Sequence, residues 1–308
     1  MREERQARAV GLVVVVIAAA VVLQACGKKP PAGDKTESPK PVTTAPAAGG
    51  AAPKTATPAG PGQTMGKDGA PMVEIPAGEF VMGSDSGEPD ERPVHRVKLK
   101  AFRLDVYPVT NAQFAAFLDE IKSSRDDDGH LLVWTFRRGV HKVGSRWEPQ
   151  KDCDRYPAIG VTWHGAAAYA KHYGERLPTE AEWEYACRAG SKTTWSFGSE
   201  VGRLVDFVWF RKNAGDEIHP VGEKPANAWG IWDMPGSVWE WCSDWYDEDY
   251  YSMSQITNPK GPSARSYRVL RGGSRLNSAA KVRSANRGAS PPDDKDGTIG
   301  FRCAARAE

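Results

Sequence analysis

The chain has 308 residues, with 41 Lys and Arg against 39 Asp and Glu for a formal charge of +2. That balance gives no electrostatic case for nucleic acid. No P-loop, GxGxxG or HExxH pattern is present, which excludes the common phosphate-cradle, dinucleotide and zinc-protease signatures.

The N-terminal residues read as a targeting segment. Arg2, Arg5 and Arg8 precede an unbroken apolar run from Ala9 to Leu23, too short for a typical membrane-spanning helix. The run ends in Leu23-Gln24-Ala25-Cys26, which resembles the bacterial lipoprotein cleavage box. A small residue precedes a cysteine whose thiol takes the lipid. Residues 1–26 are therefore expected to be a lipoprotein signal peptide lipidated at Cys26. A plain secretory signal or a short membrane anchor is the alternative. Gly27 after Cys26, where Asp is absent, points to the outer membrane, on its periplasmic or its outer face. Residues 27–70 are rich in Pro, Ala, Gly, Thr and Lys and nearly lack large apolar side chains. Such a segment cannot offset its ordering entropy, and it reads as a disordered, extended tether.

Glu74–Gly83 is short and largely apolar and reads as strand, turn, strand. Arg96–Phe102 alternates, with Val97, Leu99 and Ala101 on one face, which predicts a strand with one wet side. Phe114, Phe117 and Leu118 fall at i, i+3 and i+4 and predict a helix that Thr110 or Asn111 caps. The polar stretch from about Lys122 to Arg155 reads as an insertion. Its Asp126, Asp127 and Asp128 suit a solvated loop or a cation.

Trp163–Tyr173 carries Ala166, Tyr169, Ala170 and Tyr173 on one stripe, with Gly174 as the stop of a second helix. Thr179 followed by Glu182 is a capping box that opens a third helix, with Trp183, Ala186 and Cys187 on one face and Gly190 at its end. Beyond it no long helical period survives, and glycine and aromatic residues punctuate short strands and loops. The class is α+β, and residues 71–308 suffice to bury one core.

Four phrases carry a family signature. They are Arg176-Leu-Pro-Thr-Glu-Ala-Glu-Trp-Glu184, the tryptophan-rich Asn227–Trp241, Arg271-Gly-Gly-Ser274, and Gly300-Phe-Arg-Cys-Ala-Ala305. Their succession resembles the formylglycine-generating enzymes, also called sulfatase-modifying factors. The resemblance covers roughly residues 71–308 and implies their C-type-lectin-like fold with much irregular chain. In the oxidising members two cysteines follow the Gly-Gly-Ser within about one short loop and carry copper chemistry. Here Arg275–Arg283 contains none. The family fold is expected, and copper is not.

The resemblance also suggests ligands and crosslinks. Cys187 and Cys303 match positions similar to the family's structural disulfide, with two buried thiols as the alternative. Cys153 and Cys242 pair with each other or stay free. Asp233, Gly236, Val238 and Glu240 are similar to a family calcium site, with side-chain oxygens from the acids and carbonyls from the other two. The alternative is that Asp233 caps a turn and Glu240 pairs with an arginine such as Arg271. Asn213 and Asp216 are weak candidates for a second calcium. The six histidines are scattered without metal spacing, and none is assigned a ligand role.

Arg275, Leu276, Asn277, Ser278 and Lys281, facing Arg283 and Arg287, are expected to form the ligand-binding lip. The competing reading is arginines that pair with Glu240, Asp244 and other acids to hold loops together. The functional expectation is an envelope lipoprotein. Its domain would bind an unknown protein, peptide or small-molecule ligand without copper-thiolate oxidation. One alternative is an oxidoreductase of the wider family acting on exported peptides or small metabolites. Another is a retroelement-diversified binding protein, whose arbitrary residues would be Arg275–Ser278 and Gly288–Thr298.

Overall fold

Helix α1 (Asn111–Ile121) starts where Thr110 accepts from the Gln113 N–H, and Gln113 returns the bond to the Thr110 N–H. Helix α2 (Trp163–His172) is capped by Thr162, and α3 (Glu180–Arg188) by the Thr179–Glu182 capping box. The caps expected for α1 and α3 are observed, and α2 and α3 end within two residues of the stops that Gly174 and Gly190 predict. The computed structural model describes residues 63–307. The signal peptide, Cys26 and nearly all of the tether lie outside the described residues.

Two four-stranded sheets organise the domain. The first has the order Gln63–Met65, Pro71–Ile75, Phe102–Asp105, Ala304–Arg306, all antiparallel. The second has the order Arg287–Ser290, Arg268–Arg271, Trp239–Trp245, Ile299–Gly300, with only the last pair parallel. Gly78–Met82 and His95–Leu99 form a separate hairpin. The observed class is α+β with much irregular chain, as expected.

Three boundaries differ from the sequence reading. The folded domain starts by Gln63, not at residue 71. Gln63–Met65 is too short to show a period, yet it edges the first sheet. The strand expected over Arg96–Phe102 breaks at Lys100, and its two parts enter different sheets. Residues 122–155 are not simply solvated. They contain the hairpin Val140–Val143/Arg146–Pro149 against α1, and Leu132, Val133 and Val140 are buried.

One core layer packs α1 and α2 around Phe114, Phe117, Tyr169, Trp241 and Phe301. A second packs α3 against the Gly78–Met82 strand and the second sheet, in a cluster that holds Trp183, Phe102, Leu104 and Cys242. The Gly-Gly of the family phrase has a steric cause. Gly272 and Gly273 sit at φ 96° and 74°. A Cβ on Gly272 would lie 2.6 Å from the Met234 carbonyl oxygen, so only glycine serves there.

Candidate functional site

Every residue of α3 is buried, including Glu180, Glu182, Glu184 and Arg188. Buried carboxylates without partners are costly, and arginines from distant segments converge on them. Arg271 is fully buried. It donates to Glu180 Oε1 at 3.2 Å, Glu184 Oε2 at 2.5 Å, and the carbonyls of Ser284 at 2.7 Å and Ala285 at 3.1 Å. Arg287 reaches both oxygens of Glu180 at 2.7 and 3.0 Å. Arg188 donates to Glu184 Oε1 at 2.8 Å and to the Gly83 carbonyl at 3.0 Å. Burial pushes the Glu184 carboxyl up, but Arg188 and Arg271 outweigh it and hold the group below its usual range.

The same kind of pairing engages Glu240, one of the expected calcium ligands. Glu240 is fully buried, and Arg302 grips both of its oxygens at 2.8 Å through Nε and Nη2. Trp183 Nε1 donates to Oε2 at 2.7 Å as well. A guanidinium therefore neutralises Glu240. The arginine that pairs with Glu240 is Arg302, not Arg271. Asp233 accepts from the Gly222 N–H at 2.7 Å, and burial pushes its carboxyl up to about 6. Val238 is fully buried, and Gly236 donates its N–H to the Gly272 carbonyl at 2.8 Å. Asn213 braces its own loop, with Oδ1 on the Phe210 N–H and Nδ2 on the carbonyls of Val205 and Val208.

The expected disulfide is also corrected. Cys153, Cys187, Cys242 and Cys303 are all buried and free. Cys187 belongs to the α3 cluster and has Ser284 as its side-chain partner, whereas Cys303 belongs to the other cluster and has Glu175. The two thiols belong to different core layers and do not meet. Burial pushes the Cys187 thiol up to about 11, and those of Cys242 and Cys303 well above the usual value.

The expected lip divides into three places. Arg287 is buried on Glu180 and cannot face a ligand. Arg275 turns toward a small pocket of about 240 Å³, where it donates to the Gly297 carbonyl at 3.1 Å. Asn277 accepts from the Ser274 N–H at 2.8 Å and closes its turn, with Ser278 half-buried and Leu276 41% exposed. Lys281 pairs with Glu88 at 2.8 Å. Arg283 clamps the buried Glu91 at 2.6 and 2.7 Å. Much of the loop-holding alternative is therefore realised.

Of these residues, only Arg283 lines the larger cleft, of about 660 Å³. Its aromatic wall is Phe80, Tyr185 and Trp229. Tyr185 lies 5.1 Å from Phe80 and 4.9 Å from Trp229, centroid to centroid. The opposite side carries Ser191, Thr193, Thr194 and exposed Lys192. A side chain on Gly78 would strike the Tyr185 hydroxyl at 2.1 Å, so that glycine keeps the wall in place. The sequence reading missed this cleft. Its one local signal was Tyr185, which falls off the apolar face of α3.

Two acids, buried Asp244 and half-buried Glu175, link this architecture to pH. Asp244 accepts from the Glu180 N–H at 3.0 Å, and burial and then the Glu180 charge push it up to about 7. Glu175 is likewise pushed up to about 7 by burial and Asp68. Both folded values exceed the unfolded ones of about 4. The folded state therefore binds more protons between about pH 4 and 7. Stability should be fully present below that window and lost as pH rises through 7. Melting temperature should fall from pH 5.5 to 8, with Asp244 contributing about 2–4 kcal/mol. Asp244→Asn should flatten the slope, and a slope equal to that of the parent would count against this assignment.

Comparison with known proteins places these features in a family. Residues 59–307 match the sulfatase-modifying factor enzyme 1-like domain. The chain is 36% identical to the formylglycine-generating enzyme of Streptomyces coelicolor, covering 77% of this chain and 90% of that one. It is 38% identical to the Chlamydia caviae protein named serine/threonine-protein kinase pkn1 over 76% of this chain, but spans only 37% of that protein's length. Among solved structures, PvdO from Pseudomonas aeruginosa superposes with a TM-score of 0.68 at 28% identity, covering 83% of this chain and all of that one.

Proposed function

Because the chain belongs to the sulfatase-modifying factor enzyme family, we propose that it uses that fold to bind a ligand, as a lipid-anchored envelope protein without copper-thiolate oxidation. The observation that carries this reading is the content of the loop after Arg271. From Gly272 to Arg302 there is no cysteine, and soft Cu(I) is held by thiolates. Arg271 and Arg283 instead fasten this loop to buried acids.

The cleft beside the loop supplies the binding chemistry. Phe80, Tyr185 and Trp229 offer aromatic faces, while Ser191, Thr193, Thr194 and Lys192 offer donors to a polar edge. That pairing suits a peptide or small molecule with one flat apolar group and one polar or acidic side. The wall is preformed, which limits the ordering cost on binding.

The test uses the full chain in detergent. Peptides selected on it from a random library should bind at least tenfold more weakly to the Tyr185→Ala/Trp229→Ala variant, read by fluorescence anisotropy. Selected binders that ignore this variant would remove the cleft from the reading. Aldehyde formation on a Cys-x-Pro-x-Arg peptide in the presence of copper would overturn the non-oxidative reading.

A further inference from the structure

The fold gathers two imidazoles and two carboxylates at one place formed by three separate segments. Asp126 and His130 lie in the loop after α1, His164 in the first turn of α2, and Asp293 in the loop that follows Arg287–Ser290. The His130 and His164 rings stack face to face, 3.8 Å between centroids and 4° from parallel. His130 Nδ1 lies 3.0 Å from Asp126 Oδ2, and His164 Nδ1 lies 4.0 Å from the same oxygen. One donor atom from each of these three residues falls within 4.8 Å of the others.

The arrangement is held in position. Asp126 Oδ1 accepts the N–H groups of Asp128 at 3.1 Å and His130 at 2.8 Å, so its carboxylate is oriented by the backbone. Thr162, which caps α2, donates its hydroxyl to the Leu131 carbonyl at 2.7 Å, and its N–H bonds the Leu132 carbonyl. The loop is thus fastened to the helix that carries His164. The side chains of Asp126, His130 and His164 are 22%, 39% and 18% exposed, which leaves a route in from solvent.

We propose that Asp126, His130 and His164 bind a divalent transition-metal ion of the zinc class. Two neutral imidazoles and one carboxylate form the donor set that zinc takes, whereas calcium and magnesium prefer oxygen ligands alone. Bond formation requires the donors to close on a centre about 2.0–2.1 Å from each, a movement of side chains on the outer surface. The fourth residue has the place of a ligand's support. Asp293 Oδ1 lies 3.6 Å from His164 Nε2, the nitrogen left over when Nδ1 faces the ion. A carboxylate on the far nitrogen fixes the tautomer of a metal-binding histidine. The sequence hid the site because His130 and His164 are 34 positions apart, and only the loop's return to α2 stacks them.

The experiment titrates zinc into the chelator-stripped full chain in detergent by calorimetry, with melting temperature as a second readout. One ion per chain is expected, with a rise in melting temperature. His130→Ala and His164→Ala should each weaken binding at least tenfold and abolish the thermal shift. His172→Ala, whose native partner is Glu120 at 2.7 Å, should leave both unchanged. Cobalt(II) should give visible bands in the parent that His130→Ala/His164→Ala lacks. Absent binding in the folded parent, or full binding by that double variant, overturns the proposal.

Discussion

Arg302→Met should cost the domain about 3–5 kcal/mol, the penalty typical of removing one partner from a buried ion pair. Glu240 would remain fully buried with only the Trp183 N–H against a full negative charge. The carbonyls of Asp105 and Trp232, which Arg302 meets at 3.0 and 2.9 Å, would lose their donor and add to the cost. Glu240→Gln in the Arg302→Met background should recover part of the loss, because it removes the uncompensated charge. Urea unfolding of the four combinations measures both effects. Millimolar calcium should leave the parent's melting temperature unchanged. A clear rise on adding calcium, lost in Glu240→Gln, would restore the metal in place of the guanidinium.

Arg271→Met should be at least as damaging, again about 3–5 kcal/mol or more. Arg271 is shared by Glu180 and Glu184 and also holds the carbonyls of Ser284 and Ala285. Its loss leaves two buried acids short of a partner and frees the segment that leads into Arg287. Limited proteolysis should then cut near residues 279–286 at protease levels that spare the parent. Arg271→Lys should rescue little, since one ammonium cannot span four acceptors set around a planar fork. Parent-like stability in Arg271→Lys would show that charge alone suffices at this position.

The parts of this molecule that were legible in the sequence are those fixed by neighbours along the chain. Thr110 and Thr179 announce their helices because a cap bonds two or three residues ahead, whereas the cap Thr162 emerged only in the structure. Gly272 and Gly273 stood out only as part of a family phrase, and the structure supplies the reason in their positive φ angles. The charge partners were not legible. Glu240 meets Arg302 across 62 positions and Glu180 meets Arg287 across 107. Spacing says nothing about which of many arginines arrives there. The same blindness made Arg287 look like a surface residue and let Cys187 and Cys303 look like partners. The cleft escaped because Phe80, Tyr185 and Trp229 come from three unrelated segments and have no common period.

The bond between Glu240 and Arg302 also sets an order of events during synthesis. A chain made from its N-terminus displays Glu240 for 62 residues before its counter-charge exists. The strand Ala304–Arg306, which closes the first sheet against Phe102–Asp105, comes later still. Neither the charge balance of the core nor the first sheet can be completed without residues 302–306. Until Arg302 is available, Glu240 lacks the partner that neutralises it.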